Sequence, residues 1–137
     1  MKKYFSFLII LAFTISCDTG SFNNKNPYLP NYPVNVIINL SLPQYSNLQF
    51  ASNHVVVSGG VNGIVVFNTG SDFVAFDLAC PNQALSACST MTINGINATC
   101  PCDNAVYSLF SGQSPGLQYP MKQYRIDNSG GTLIIYN

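Results

Sequence analysis

Four cysteines in the C-terminal half of the chain are the residues whose type and spacing favour chemistry. They are Cys80, Cys88, Cys100 and Cys102, and the last two flank a proline in the segment CPCD. Thiolates bind soft metal ions, whereas paired thiols in an oxidising compartment form disulfides. In an exported domain, an even number of cysteines indicates disulfides or a metal site rather than free thiols.

The spacing of these cysteines narrows the choice of site. A structural zinc site favours two C-x₂-C pairs, or cysteines combined with histidines. Here successive cysteines are separated by seven, eleven and one residues, and His54 is the single histidine in the chain. A CxC redox pair would be expected in a thioredoxin-like βαβ context, which the flanking sequence lacks. Zinc remains an alternative to disulfides, for which four cysteines allow three pairings.

The first sixteen residues are typical of a secretion signal. Lys2 and Lys3 form a positively charged start, and 5–13 is an apolar run too short to span a bilayer. Small residues precede Cys17, which resembles the bacterial lipobox, although Thr14 stands where leucine is usual. The sequence therefore predicts a lipoprotein signal peptide at 1–16 and lipidation of Cys17, with a plain signal peptide or a signal anchor as alternatives.

The composition of residues 17–137 excludes one class of partner and favours an envelope location. These residues include three basic side chains and five aspartates, so their net charge is −2, and they contain no basic patch for nucleic acid. The chain has no glutamate and few charges, which suits an exported β-protein. We expect a membrane partner through the lipid anchor, an unknown protein partner, no nucleic acid, and a bacterial envelope location on the periplasmic face or outer surface.

Residues 17–33 are rich in Asn and Pro without an apolar period, and they are predicted to be a flexible tether. The remainder, 34–137, contains short β-branched and alternating segments separated by turn residues and lacks a sustained helical period. It is therefore predicted to be an all-β domain of many short antiparallel strands. Asn94-Gly95 predicts a hairpin with a type I′ turn. The other predicted strands are Val34–Leu40, His54–Val57, Ile64–Phe67, Phe73–Phe76, Val106–Leu109, Tyr124–Ile126 and Thr132–Tyr136.

The segments VAFDLACPNQ, CPCDNAVYSLFSG and YPMKQY together resemble the Rieske [2Fe–2S] family over residues 55 to 136. In that family an apolar strand ends in C-x-H, and C-P-C-H-G-S-x-F and P-L-x-x-Y follow. Cys80-Pro81-Asn82 stands at the first motif, and Cys100-Pro101-Cys102-Asp103 at the second. Residues 120–124 match the third, and Gly112 keeps its place. The second motif continues with replacements of Gly, Ser and Phe, namely Asn104, Ala105 and Tyr107. The resemblance implies a Rieske-like all-β fold.

The resemblance also identifies the positions equivalent to cluster ligands, namely Cys80, Asn82, Cys100 and Asp103. In the family, two cysteines hold one iron and two histidines hold the other. Both histidine positions are replaced here, by Asn82 and Asp103, so a standard Rieske cluster is excluded within one chain. The expectation is no cofactor, with a [2Fe–2S] cluster on non-standard ligands as the alternative.

The family resemblance implies a disulfide pairing. Its high-potential branch carries a disulfide between a cysteine after C-x-H and the middle cysteine of C-P-C-H, and Cys88 and Cys102 occupy comparable places. Without iron, Cys80 and Cys100 would face each other across the two loops. The resemblance therefore implies Cys80–Cys100 and Cys88–Cys102 disulfides.

Other candidate residues do not form a catalytic group. Asp77 lies three residues before Cys80 and is expected to form hydrogen bonds at a strand end. His54 lacks an accompanying nucleophile motif. We therefore expect a non-enzyme: a disulfide-braced binding or structural lipoprotein without a cluster, the alternative being an electron-transfer protein that holds a [2Fe–2S] cluster.

Overall fold

The structure, a computed structural model, describes residues 24–137. Within them lie nine strands and one 3-10 helix, η1 (Pro43–Gln49). The strands are β1 (Asn35–Asn39), β2 (His54–Val57), β3 (Ile64–Asn68), β4 (Phe73–Asp77), β5 (Thr92–Asn94), β6 (Asn97–Thr99), β7 (Val106–Ser108), β8 (Gln123–Ser129) and β9 (Thr132–Tyr136). The predicted all-β fold of short strands is confirmed, and each segment predicted to form a strand overlaps one.

The strands form two antiparallel sheets. The larger has six strands in the order β1-β9-β8-β4-β3-β2, and the smaller has three in the order β5-β6-β7. All of the pairs between the strands are antiparallel. The chain leaves the large sheet after β4, builds the small sheet, and returns at β8 beside β4. The small sheet is thus an insertion between two neighbouring strands of the large one.

Strand β3 divides the hydrophobic core into two clusters. Its apolar run Ile64–Phe67 is completely buried, as expected for a strand covered on both faces. Val65 and Phe67 belong to a cluster with the small sheet and its loops, which includes Cys80 and Cys100. Ile64 and Val66 alternate to the other face and join a second cluster. Its other members come mainly from β1, η1, β8 and β9. The first cluster therefore anchors the cysteine loops to the large sheet.

The hairpin between β5 and β6 differs by one residue from its prediction. Asn94 pairs with Asn97, so the two-residue loop is Gly95-Ile96 rather than Asn94-Gly95. Gly95 has φ +61°, whereas the φ of Ile96 is not positive. Glycine at the first loop position with only that residue at positive φ is the pattern of a type II′ turn, so the type I′ prediction is wrong. The hairpin itself lies at the predicted position in the chain.

Residues 24–33 lie against the domain. Asn26 Nδ2 donates to the Pro81 carbonyl (2.7 Å), and the buried Lys122 ammonium donates to the Pro30 carbonyl (2.8 Å). Residues 24–33 of the predicted tether are thus held to the domain by hydrogen bonds, and its other residues, 17–23, lie outside the described residues. The predicted signal peptide and lipidation site, Cys17, lie outside the described residues. In the described part of the chain, no helix is long and apolar enough to cross a membrane.

Candidate functional site

Three loops at the end of the small sheet build the site. Loop A (78–91) connects β4 to β5, loop B (100–105) connects β6 to β7, and loop C (109–122) connects β7 to β8. Disulfides join Cys80 to Cys100 and Cys88 to Cys102, with Cα–Cα distances of 5.7 and 5.2 Å. This is the pairing that the family resemblance implied. Both bonds link loop A to loop B.

The two disulfides differ in exposure and lie side by side. The inner disulfide, Cys80–Cys100, is buried in the core, with both residues at most 1% exposed. The outer disulfide consists of exposed Cys88 and half-buried Cys102. The Sγ atoms of Cys80, Cys100 and Cys102 all lie within 4.8 Å of one another. The four cysteines, dispersed in sequence, therefore form one compact group of sulfur atoms.

Backbone hydrogen bonds fix the shape of loop B. Cys100 N–H donates to the Ala105 carbonyl, and Asn104 N–H donates to the Cys100 carbonyl, both at 2.9 Å. Asn104 has φ +60°, a left-handed conformation that asparagine tolerates better than most residues. The Rieske pattern has glycine at this place. The replacement therefore preserves the backbone conformation that the loop needs.

Asn82 is a structural link between loops A and C. Its Nδ2 donates to the Tyr107 hydroxyl (2.9 Å) and to the Tyr119 carbonyl (2.7 Å). Its Oδ1 accepts from the Tyr119 backbone N–H (2.9 Å). Both amide hydrogens and the carbonyl oxygen are thus engaged within the protein. The side chain at the first histidine-equivalent position is committed to protein contacts.

Asp103, at the second histidine-equivalent position, is exposed and supports the turn in loop B. Its Oδ1 accepts from Ala105 N–H at 3.0 Å. This is the local bond of an Asx turn, in which an aspartate side chain bonds the backbone two residues later. The carboxylate thus acts on its own loop and, like Asn82, has a structural partner.

The residues at the four ligand-equivalent positions do not fit a Rieske cluster. Cys80 and Cys100 are joined to each other, and a sulfur in a disulfide is not the thiolate that binds iron. Asn82 has no spare donor or acceptor beyond a second lone pair, and Asp103 is held at the surface. The oxidised sulfurs are equally unsuited to zinc, which binds thiolate.

Polar groups from loop A surround the sulfur atoms. Gln83 Nε2 donates to Cys100 Sγ (3.5 Å) at the inner disulfide. The Ser86 hydroxyl lies 3.3 Å from Cys88 Sγ and 3.6 Å from Cys102 Sγ, so it contacts both atoms of the outer disulfide. Ser89 Oγ lies 3.9 Å from Cys102 Sγ. Each of these groups can donate a hydrogen bond to a sulfur that becomes negatively charged.

The buried carboxylate of Asp77 holds the loop between β2 and β3 by hydrogen bonds. It is completely buried at the end of β4 and accepts from Val61 N–H (2.6 Å), Asn62 N–H (3.1 Å) and Ala79 N–H (2.8 Å). The Tyr124 hydroxyl donates to the same carboxylate at 2.7 Å. Four donors satisfy this buried charge, which matches the structural role expected for a strand-end aspartate.

Burial shifts the pKa of three side chains near these networks. Desolvation raises the pKa of Tyr124, and its hydrogen bond to Asp77 raises it further. Desolvation also raises the pKa of Tyr107, against a smaller opposite effect of the Asn82 hydrogen bond. For Lys122, desolvation lowers the pKa, because burial disfavours the ammonium ion. The two tyrosines therefore stay neutral donors and acceptors well into the alkaline range.

The structure includes partners that sequence reasoning missed. Tyr107 and Tyr119 are the partners of Asn82, and Gln83 reaches the inner disulfide. One signal was visible: Tyr107 replaces a phenylalanine of the Rieske pattern and adds a hydroxyl, so the changes at 82 and 107 complement each other. His54 lies on the edge strand β2, outside the three loops.

Comparisons with known proteins give solved structures alone. No protein-family model matches the sequence, and no curated protein matches it significantly. Solved structures do match, and the titles of three of them contain the word ferredoxin. For the ferredoxin of carbazole 1,9a-dioxygenase from Nocardioides aromaticivorans IC177, the identity is 13% and the TM-score is 0.47. The match covers 77% of this chain and 97% of that one.

Two further solved structures show a similar degree of likeness. The Sphingomonas yanoikuyae B1 ferredoxin is 16% identical over 64% of this chain and 88% of its own, with a TM-score of 0.44. A chain in the complex of reduced oxygenase and oxidised ferredoxin in carbazole 1,9a-dioxygenase is 18% identical over 63% of this chain and 82% of its own, with a TM-score of 0.45. All three of these TM-scores are below 0.5, and all three identities are below 20%.

Proposed function

We propose that this protein is an envelope lipoprotein whose Rieske-like domain has lost its [2Fe–2S] cluster and serves as a disulfide-braced binding or structural module. The observation that carries the proposal is the hydrogen bonding of Asn82, whose amide links loop A to Tyr107 and Tyr119. A side chain that stands at a metal-ligand position and makes three internal hydrogen bonds is part of the scaffold.

The inner disulfide supports the same proposal. In the Rieske family, iron joins the two cluster-binding loops, whereas here the bond between Cys80 and Cys100 joins loops A and B directly. Both residues are buried among apolar side chains of the first core cluster. The covalent link therefore takes over the structural role of the metal and leaves the surface of the loops free for a partner.

The experiment that tests the loss of the cluster is iron analysis of the protein purified from cells supplied with iron. We expect no stoichiometric iron or acid-labile sulfide, no visible absorbance of an iron–sulfur centre, and no free thiols among the four cysteines before reduction. A brown protein with stoichiometric iron and sulfide would overturn the proposal. That result would favour the alternative, an electron-transfer protein with non-standard ligands.

Restoring the histidines provides a second test. If the loops have become a disulfide-linked scaffold, the double variant Asn82→His, Asp103→His should still bind no iron. The reason is that histidine at 82 replaces a side chain with three internal hydrogen bonds, and the inner disulfide withholds both thiolates. Iron and sulfide binding by this variant, with visible absorbance, would mean that the loops retain a cluster-binding state.

The envelope location is part of the proposal and rests on the signal-like N-terminus and Cys17. Cells given a radiolabelled fatty acid should incorporate label into the protein, and the Cys17→Ser variant should lose both the label and the membrane association. Equal labelling or equal membrane association of the variant would refute lipid attachment at Cys17.

A further inference from the structure

The contrast between the two disulfides suggests chemistry that bracing alone does not require. The outer disulfide presents an exposed sulfur at Cys88, whereas the inner disulfide is buried. Cys102 belongs to the outer disulfide, yet its Sγ lies within 4.8 Å of both sulfurs of the inner one. A change of χ1 between staggered wells moves Sγ by about 3 Å, which is a displacement of the size that bond formation with one of these sulfurs requires.

We propose that the four cysteines form a thiol–disulfide exchange relay, in which a partner dithiol reduces the outer disulfide and Cys102 then passes the exchange to the inner one. The proposal rests on the proposed function, because a cluster would occupy Cys80 and Cys100. It goes beyond bracing by assigning a redox activity to the same sulfurs. The partner is defined by its chemistry: a protein that presents two thiols capable of forming one disulfide.

The first step begins at Cys88, the exposed sulfur of the pair. A thiolate of the partner attacks Cys88 Sγ and forms a mixed disulfide, while the bond to Cys102 breaks and the electron pair stays on Cys102 Sγ. The hydroxyls of Ser86 and Ser89, 3.6 and 3.9 Å away, can donate to this thiolate. The second thiol of the partner, once deprotonated, then attacks the mixed disulfide. It leaves the partner oxidised and Cys88 as a thiol.

In the second step, the Cys102 thiolate attacks Cys80 Sγ. A new Cys80–Cys102 bond forms, the Cys80–Cys100 bond breaks, and the electron pair leaves on Cys100 Sγ. Gln83 Nε2 already donates to Cys100 Sγ at 3.5 Å and stabilises the leaving thiolate, which favours attack on Cys80 over attack on Cys100. Attack on Cys100 would also close a small ring between residues separated by one position.

The relay balances as a two-electron reaction. The partner loses two electrons and two protons as its two thiols become a disulfide. This protein gains them as two thiols, at Cys88 and Cys100, and retains one disulfide, Cys80–Cys102. The buried Cys100 is thus reduced without direct contact with the partner.

Peptide mapping after limited reduction tests the relay in the unaltered protein. The protein is treated with one equivalent of dithiothreitol at neutral pH, quenched with acid, and labelled with a maleimide under mildly acidic conditions. We expect label mainly on Cys88 and Cys100, together with a Cys80–Cys102 disulfide. As a control, a phosphine reductant at about pH 3 suppresses exchange, because exchange requires thiolate, and should give label on Cys88 and Cys102.

Two single variants form a matched pair for the relay. Cys88→Ser and Cys102→Ser both lose the outer disulfide, but only Cys88→Ser retains the sulfur at 102. We expect dithiothreitol to reduce the inner disulfide at least about tenfold more slowly in Cys102→Ser than in Cys88→Ser, since the buried bond then lacks its internal nucleophile. The ratio remains informative if both variants lose stability equally.

Three results would contradict either the relay or the proposed function. Label on Cys88 and Cys102 at neutral pH, with the inner disulfide intact, overturns the relay but leaves the disulfide-braced scaffold in place. Equal reduction rates in the two variants overturn it likewise. Label on Cys80 and Cys100 in denatured protein before any reductant is added, together with bound iron in the native protein, would instead refute the proposed function itself.

Discussion

At the scale of single residues, the replacement of one ligand is matched by a change in its neighbour. Asn82 stands where the Rieske pattern has histidine, and Tyr107 stands where it has phenylalanine, and the two side chains share a hydrogen bond of 2.9 Å. An asparagine amide offers two donors, and the added phenol hydroxyl accepts one of them. The side chain at the histidine-equivalent position is thereby part of the internal hydrogen-bond network.

The buried carboxylate of Asp77 gives the first prediction at this scale. Asp77→Ala leaves three backbone N–H groups and the Tyr124 hydroxyl without their acceptor, and we expect a loss of about 3–5 kcal/mol in the free energy of unfolding. Tyr124→Phe removes one donor only and should cost about 1–2 kcal/mol. Denaturant unfolding measures both. Equal losses for the two variants would contradict the central position of Asp77.

The raised pKa of Tyr124 gives a prediction for pH. In the unfolded chain a tyrosine ionises near pH 10, whereas in the folded protein burial keeps the Tyr124 hydroxyl protonated above that value. The folded state then binds more protons than the unfolded state, so stability is full below about pH 10 and falls as the pH rises further. Denaturant unfolding across this range should show a shallower fall for Tyr124→Phe. An identical slope in both proteins would exclude Tyr124 as a source.

At the scale of elements, the positions of the strands could be predicted from the sequence, because the strands are short, rich in β-branched residues and bounded by turn residues. β3 shows the clearest case, since four consecutive apolar residues fill both of its faces. The helix η1 was missed because its segment, PQYSNLQ, lacks an apolar helical period. The hairpin register was missed by one residue because Asn-Gly marks the turn, whereas pairing of Asn94 with Asn97 decides which residues occupy it.

Loop C makes a close approach to β4 at a glycine. Gly112 has φ +70°, and an added Cβ would lie 2.6 Å from the ring of Phe76. Gly112→Ala therefore combines backbone strain with a clash and should lower the free energy of unfolding by about 2–4 kcal/mol. Gly116 provides the control. Its φ is +76° but an added Cβ meets nothing within 4 Å, so Gly116→Ala should cost about 1–2 kcal/mol. Similar losses in denaturant unfolding would mean that packing at Phe76 is unimportant.

The part of the candidate site that lies within the Rieske-like motifs was predictable from the sequence. The pairing of the cysteines followed from the family resemblance, and spacing alone left three choices open. The partners of Asn82 were not predictable, because Tyr119 is 37 positions away and meets it only through the fold of loop C. The same holds for the nearness of Cys102 to the inner disulfide, which depends on how loops A and B face each other.

At the scale of the whole molecule, the two disulfides and the first core cluster hold the small sheet to the large one. The outer disulfide closes a loop with a sequence separation of 14, for which chain entropy predicts a contribution of about 3 kcal/mol. The double variant Cys88→Ser, Cys102→Ser should therefore unfold with a free energy lower by about that amount while keeping its β-rich spectrum. Denaturant unfolding and circular dichroism check this. An unchanged midpoint would show that the outer disulfide does not brace the domain.

We propose that disulfides, rather than a [2Fe–2S] cluster, join loops A and B. Peptide mapping of the purified protein without reduction, after alkylation of any free thiols, tests it most directly. We expect two linked peptide pairs, Cys80 with Cys100 and Cys88 with Cys102, and no alkylated cysteine among the four. Alkylated Cys80 and Cys100 in protein that carries stoichiometric iron and sulfide would contradict it.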